Sequence, residues 1–254
     1  MKAIILAAGR GSRMLSLTKD KPKCLVELGG KPLLRWQLDA LRAAGARDIA
    51  VVGGYRVEAL QALAHLPGWN FTILHNPDWA STNMLASLMC GIGWASGQDC
   101  IISYSDIVFA TKHIGALVNA SHDIAITYDT LWHTLWSERF ANPLDDAETF
   151  REEAGIVREI GNKPERPDVI QGQYMGLLRV TRKGWDTVQA QLDAMGEAAG
   201  TSDMTRFLWR MIEAGTHIGA VPVEGKWCEV DSTDDLILYQ RKLAEKTSWP
   251  HDWR

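Results

Sequence analysis

Residues 2–7 read Lys-Ala-Ile-Ile-Leu-Ala, an apolar run without alternation, and break at once into Ala8-Gly9-Arg10-Gly11-Ser12-Arg13. A strand that is apolar on both faces must be covered on both, the condition of an inner strand in an α/β sheet. Small residues directly after such a strand let backbone N–H groups approach an anion, and a nest of those groups binds phosphate. The loop runs on through Thr18-Lys19-Asp20-Lys21-Pro22-Lys23, so Arg10, Arg13, Lys19, Lys21 and Lys23 are set against one acid, Asp20. With 27 Lys+Arg against 31 Asp+Glu overall, this loop is a positive island in a mildly acidic chain. Such an island asks for a polyanion. Solvated lysines are the plainer account of a charge run, but they leave the two glycines and two arginines at a buried strand end unexplained. The spacing also excludes two other phosphate loops. The Walker pattern Gly-x-x-x-x-Gly-Lys-Ser/Thr is absent, and Met14 stands where the dinucleotide fingerprint needs a third glycine.

The stretch Leu6-Ala7-Ala8-Gly9-Arg10-Gly11-Ser12-Arg13-Met14, followed by Leu17-Thr18 and Lys21-Pro22-Lys23, resembles the signature of nucleotidyltransferases that activate sugars and small alcohols. Ser16 departs from it, standing where many members have proline. The resemblance implies a Rossmann-like, mostly parallel mixed sheet flanked by helices, with Leu6, Ala7, Ala8, Gly9 and Gly11 at the nucleotide.

Periodicity agrees with that fold. Helical stripes over 33–44, 57–65, 84–94 and 111–119 alternate with apolar strands over 48–53, 70–75, 100–104 and 123–128. Such alternation predicts a mostly parallel sheet covered on both faces. The rhythm fails over 131–167, which holds Trp132, Trp136, Phe140 and six acids from Glu138 to Glu153. A hairpin is expected there over 150–160, turning at Ala154-Gly155. Alternation resumes with a strand at 175–180, helices near 183–195 and 203–213, a strand at 218–223 and a helix over 233–245. One domain over 1–254 with an acceptor-binding insertion at 131–167 fits this order and the length. The tail, Trp249-Pro250-His251-Asp252-Trp253-Arg254, reads only as an aromatic anchor.

Composition narrows the function classes. A hydrophobic fraction of 46% suits a large core, and a net charge of −4 gives no reason to expect nucleic acid. Cys24, Cys90, Cys100 and Cys228 are far apart and the seven histidines lack zinc spacing, so buried thiols in a reducing cytoplasm are expected. No apolar run approaches the ~18 residues of a membrane helix, and the short opening run does not read as a signal peptide. The residues do not fix the oligomeric state; a homodimer is one expectation.

In an open parallel sheet the ligand lies beyond the carboxyl ends of the strands. Asp106 follows the strand Ile101-Ile102-Ser103-Tyr104 and so falls at the edge of the phosphate loop. It could instead cap the next helix, but Thr111 is a long way on. Glu229 and Asp231 alternate in Trp227-Cys228-Glu229-Val230-Asp231 and share a face if the segment is extended. Ser232 and Asp235 read as a helix cap. The resemblance implies Mg²⁺ on Asp106 and Asp231 with Glu229 as a weaker third ligand, Lys23 at the α-phosphate, and Arg13 at the departing pyrophosphate.

The segment His75 to Leu88 resembles the phosphocholine and 2-aminoethylphosphonate cytidylyltransferase branch. It makes Asn83 and Ser87 candidate contacts to base or ribose, though Thr82 or Asn83 serves equally as a helix cap. Trp132 and Trp136 share a helix face, a spacing more common in cores. The acidic insertion and the branch resemblance raise the other reading, a cation–π wall for an acceptor's ammonium. Tyr174 and Asp203 join that wall by resemblance; Asp203 could also cap a helix. The chain is thus expected to join CTP to a small amine- or choline-bearing phosphate or phosphonate, releasing pyrophosphate. A sugar-1-phosphate nucleotidyltransferase and a non-catalytic nucleotide-binding module are the alternatives.

Overall fold

The computed structural model describes residues 1–245 and 248–254. The first half runs β1 (Lys2–Ala7), β2 (Glu27–Leu28), β3 (Lys31–Pro32), α1 (Leu33–Ala43), β4 (Asp48–Gly53), α2 (Val57–Leu63) and β5 (Thr72–His75). It continues with α3 (Met84–Ala95), β6 (Cys100–Tyr104), β7 (Ile107–Phe109), α4 (Thr111–Val118), β8 (Ile124–Asp129) and α5 (Trp132–Arg139). The remainder is β9 (Phe150–Glu153), β10 (Ile156–Ile160), β11 (Gln173–Val180), α6 (Gly184–Met195), α7 (Met204–Glu213), β12 (Ile218–Val223), β13 (Trp227–Glu229) and α8 (Thr233–Ala244). No described helix is long and apolar enough to cross a membrane.

Nine strands form one sheet in the order β5-β4-β1-β6-β11-β8-β12-β10-β9. β1 lies parallel between β4 and β6, and β8 parallel to β12. β11 runs antiparallel between β6 and β8, which joins the two parallel groups. The carboxyl ends of β1, β4, β6, β8 and β12 therefore share one edge with the amino end of β11. The alternating side chains of β1 feed two cores. Ala3, Ile5 and Ala7 enter the core under α1, while Ile4 and Leu6 enter the one under α3, as the unbroken apolar run requires.

The expected hairpin forms as β9 and β10, turning at Ala154 and Gly155 with φ of 52° and 75°. It extends the main sheet through β12. β11 carries an irregularity between Tyr174 and Leu178. Gly176 sits there at φ 76°, and a Cβ on it would lie 2.5 Å from the Tyr104 ring, so only glycine lets the strand pass.

Two expectations need correction. Cys24, Cys100 and Cys228 are buried thiols, but Cys90 is exposed, because it falls on the outer face of α3. The aromatic tail does more than anchor. Trp249, His251 and Trp253 are buried, Trp253 stacks edge-on against Trp36 at 5.6 Å, and His251 Nε2 lies 3.0 Å from Asp129 Oδ2 at the end of β8.

Candidate active site

The glycine loop after β1 is held in place by its neighbours. Tyr55 donates its N–H to Ala8 O at 2.9 Å and its hydroxyl to Thr18 O at 3.0 Å, while Thr18 Oγ1 donates to Gly11 O at 3.0 Å. Gly11 has φ 70°, and a Cβ there would lie 2.8 Å from Lys23 Cβ. Glycine therefore lets the loop close over the Lys23 stem. Lys23 begins a short 3₁₀ turn and is only 7% exposed.

A small antiparallel pair brings the carboxylates to that lysine. β13 pairs with β7 in the register Ile107↔Glu229, and Val230 donates its N–H to Asp106 O at 2.8 Å. Asp106 is thereby locked beside Glu229 and Asp231, with oxygens of all three within 4.8 Å of one another. Lys23 Nζ lies 2.9 Å from Asp106 Oδ2 and 2.6 Å from Asp231 Oδ1. Arg13 reaches Asp231 Oδ1 at 3.2 Å from the rim, with two-thirds of its side chain exposed.

Behind the cluster lies a residue that sequence reasoning did not single out. Arg139, at the end of α5, has a fully buried side chain. Its Nη1 is 3.2 Å from Glu229 Oε2, its Nη2 3.6 Å from Asp231 Oδ2 and its Nε 2.9 Å from Asp235 Oδ1. Its guanidinium lies over the rings of Trp136 and Phe140 at 5.0 and 4.9 Å. Asp235 caps α8 with Ser232 as expected and pins this arginine as well. The available signal was Arg139's position three residues after Trp136, a charge on an otherwise buried helix face.

These charges set the ionisation of the group. Burial alone would lower the Lys23 ammonium, but Asp106 and Asp231 more than reverse this and hold it above its ordinary value. Burial would raise Asp231, yet Lys23, Arg13 and Arg139 keep it below the usual carboxylate range. Glu229 goes the other way: burial and the facing Asp231 push its carboxyl well up. Three hard oxygen donors suit a small divalent cation. Buried Asp106 Oδ1, without a hydrogen-bond partner among the described residues, adds a free lone pair.

Beside the loop, Leu6, Ala8, Gly9, Trp79, Asn83 and Ser87 line a cavity of about 140 Å³. Ala7 does not join it, since strand alternation turns its methyl into the opposite core. Asn83 caps α3, accepting from Met84 N at 2.7 Å. Ser87 is buried and accepts from Asn76 Nδ2 at 3.1 Å, so both candidate base contacts already have intramolecular partners. Trp79, edge-on to Tyr55 at 5.2 Å, is a wall the sequence did not disclose.

The expected acceptor wall is not where the sequence put it. Trp132 and Trp136 are 4% and 3% exposed and belong to the main core, with Trp136 packed on Trp227 at 6.2 Å. The helix turns its aromatic face inward, so neither ring meets solvent. Tyr174 does stand at the edge shared by these strand ends, edge-on to Tyr104 at 5.8 Å, with its hydroxyl buried. Asp203 caps α7, accepting from Arg206 N at 2.6 Å, and also lines a cavity of about 130 Å³ with Glu148, Asn162 and Trp209. Burial and the neighbouring Asp203 and Asp146 raise the Glu148 carboxyl to about 7.

Known proteins resemble this chain along its whole length. The profile of the MobA-like NTP transferase domain matches residues 3–165. A CTP:phosphoglutamine cytidylyltransferase of Campylobacter jejuni is 38% identical over 257 residues, spanning 95% of this chain and all of that one. A UTP–glucose-1-phosphate uridylyltransferase of Haloferax volcanii is 48% identical over 254 residues, spanning 98% of each. The inositol-1-phosphate CTP transferase from T. maritima superposes with a TM-score of 0.74 over 98% of both chains at 18% identity, which speaks for the fold alone.

Proposed function

The chain belongs to the family of MobA-like NTP transferase domains, and from that premise we propose that it transfers CMP from CTP to a small phosphate or phosphonate bearing a cationic nitrogen, releasing pyrophosphate. The observation that carries the reading is the convergence of Lys23, Asp106 and Asp231 beside the glycine loop. An acceptor oxygen attacks the α-phosphorus in line, and the bond to pyrophosphate breaks. Placement and charge neutralisation dominate such a step. Backbone N–H groups of residues 8–11 hold the phosphates, Lys23 follows the charge at the α-phosphate, and Arg13 steadies the leaving pyrophosphate. Asp106 and Asp231, with Glu229, would hold magnesium, which when bound neutralises phosphate oxygens.

For the acceptor, the support is the recess that Glu148 and Asp203 line together with Arg206, with Tyr174 close enough to Glu148 to feel its charge, in place of the buried tryptophans. An ammonium group suits it; the phosphoglutamine of the Campylobacter relative is one phosphorylated acceptor that carries such a group. The likeness to the Haloferax enzyme favours a second reading, uridylyl transfer to a sugar phosphate. Pyrophosphate release measured with CTP and UTP against phosphocholine, 2-aminoethylphosphonate, phosphoglutamine and glucose 1-phosphate separates the two. Cytosine offers an amino donor where uracil offers a carbonyl, so a site built for one edge rejects the other strongly. Preference for UTP with glucose 1-phosphate would reverse the conclusion.

A further inference from the structure

Lys23 is bonded to two of the three carboxylates that could hold a metal ion. Its ammonium touches Asp106 Oδ2 at 2.9 Å and Asp231 Oδ1 at 2.6 Å, the two residues best suited to hold a cation. A lysine ammonium is a compact point charge with three donors, the nearest side-chain counterpart of a small cation between carboxylates. Two such positive charges cannot share one gap a few ångströms wide, because their repulsion adds to the loss of donors on both sides.

The division of labour within Asp231 shows which charge is fixed and which is exchangeable. Oδ1 faces Lys23 and Arg13, whereas Oδ2 faces Arg139 at 3.6 Å. Arg139 is held on three sides, by Asp235, by Glu229 and by the rings of Trp136 and Phe140. It stays. Lys23 is carried by a loop and a single 3₁₀ turn, with its stem under Gly11 and two carboxylates at its tip. An anion bound by the backbone amides of that loop would compete with the carboxylates for its ammonium.

We infer that Lys23 is an exchangeable plug: in the nucleotide-free protein it occupies the cation seat between Asp106 and Asp231, and a divalent cation takes that seat only when a nucleotide phosphate draws the lysine away. The inference rests on the reading of those two aspartates as metal ligands. Metal and nucleotide then bind with positive coupling, which thermodynamics makes reciprocal. Free metal alone does not load the site.

The test reads Mn²⁺ binding directly, by loss of the free-ion electron paramagnetic resonance signal, on nucleotide-free protein. Lys23→Met removes the charge and keeps most of the stem. The expected result is at least tenfold tighter Mn²⁺ binding in Lys23→Met than in the native chain, abolished when Asp106→Asn is added. Lys23→Gln serves if the methionine variant does not fold by circular dichroism. Equal or weaker Mn²⁺ binding in the lysine variants, with the Asp106→Asn loss retained, overturns the plug and leaves the metal ligands standing. Absence of Mn²⁺ binding in every chain, with or without α,β-methylene-CTP, removes the metal reading and the plug together.

Discussion

The β7–β13 corner and helix α5 are neighbours, yet their polar and aromatic residues serve opposite ends. At the corner, Asp106, Glu229 and Asp231 reach the functional edge because an antiparallel register of three residue pairs aligns them. In α5, Trp132 and Trp136 share a face as their spacing demands, but the face points into the core. Period alone says which residues travel together. It does not say toward what they travel.

Trp136→Ala tests the sharper half of this contrast. Removing a buried indole should cost roughly 3–5 kcal/mol of stability, read as a lower midpoint in urea, with the KM values for nucleotide and acceptor moving together. A normal midpoint with a selective rise in acceptor KM would return the ring to the acceptor site. On the other side, Lys23→Ala should lower kcat by about 10²–10³ while the far-ultraviolet spectrum is retained, the range seen when one preorganised charge-stabilising donor is lost. Near-native turnover would take Lys23 out of the chemistry.

His113 extends the comparison to a buried imidazole. It is 2% exposed, neither ring nitrogen has a hydrogen-bond partner among the described residues, and burial together with Lys112 lowers its imidazole to about 4. The unfolded chain takes up a proton near pH 6.5 and the folded one does not. Stability is thus fully present above pH 6.5 and falls as pH drops from there toward 4, by on the order of 2–3 kcal/mol. His113→Leu should flatten that part of the profile in urea melts between pH 4 and 7; an unchanged slope would assign it to other groups. The smallest effect belongs to Asp203. Asp203→Ala should lose about 1 kcal/mol from the α7 cap and raise acceptor KM severalfold. Asp203→Asn should restore the cap and leave KM high; recovery of both would make Asp203 a cap alone.

These tests follow the line between what the residues disclosed and what they hid. The strand Lys2–Ala7, the glycine loop and the Ser232–Asp235 cap depend on neighbours within a few positions, and all were legible. So was the shared face of Glu229 and Asp231. The antiparallel placement of β11 was not, because its hydrogen bonds are to β6 and β8, far away in sequence. Arg139 was hidden for a related reason. Its partners Glu229 and Asp235 lie 90 and 96 positions on, and nothing local marks a basic side chain as buried. For Asn83 the helix-cap alternative was legible and is what its side chain does, whereas the bond between Ser87 and Asn76, eleven positions apart, was not.

The bond between His251 and Asp129 spans 122 positions. Asp129 accepts from Leu131 N and Gly225 N, and so sits at the junction where β8 hands over to α5. Until residues 249–253 have docked, that carboxylate lacks its imidazole partner and the surrounding core lacks two tryptophans. Closing so long a loop is entropically slow compared with zipping a hairpin. The helix that carries Arg139 therefore gains its final support only from a segment more than a hundred positions further along the chain.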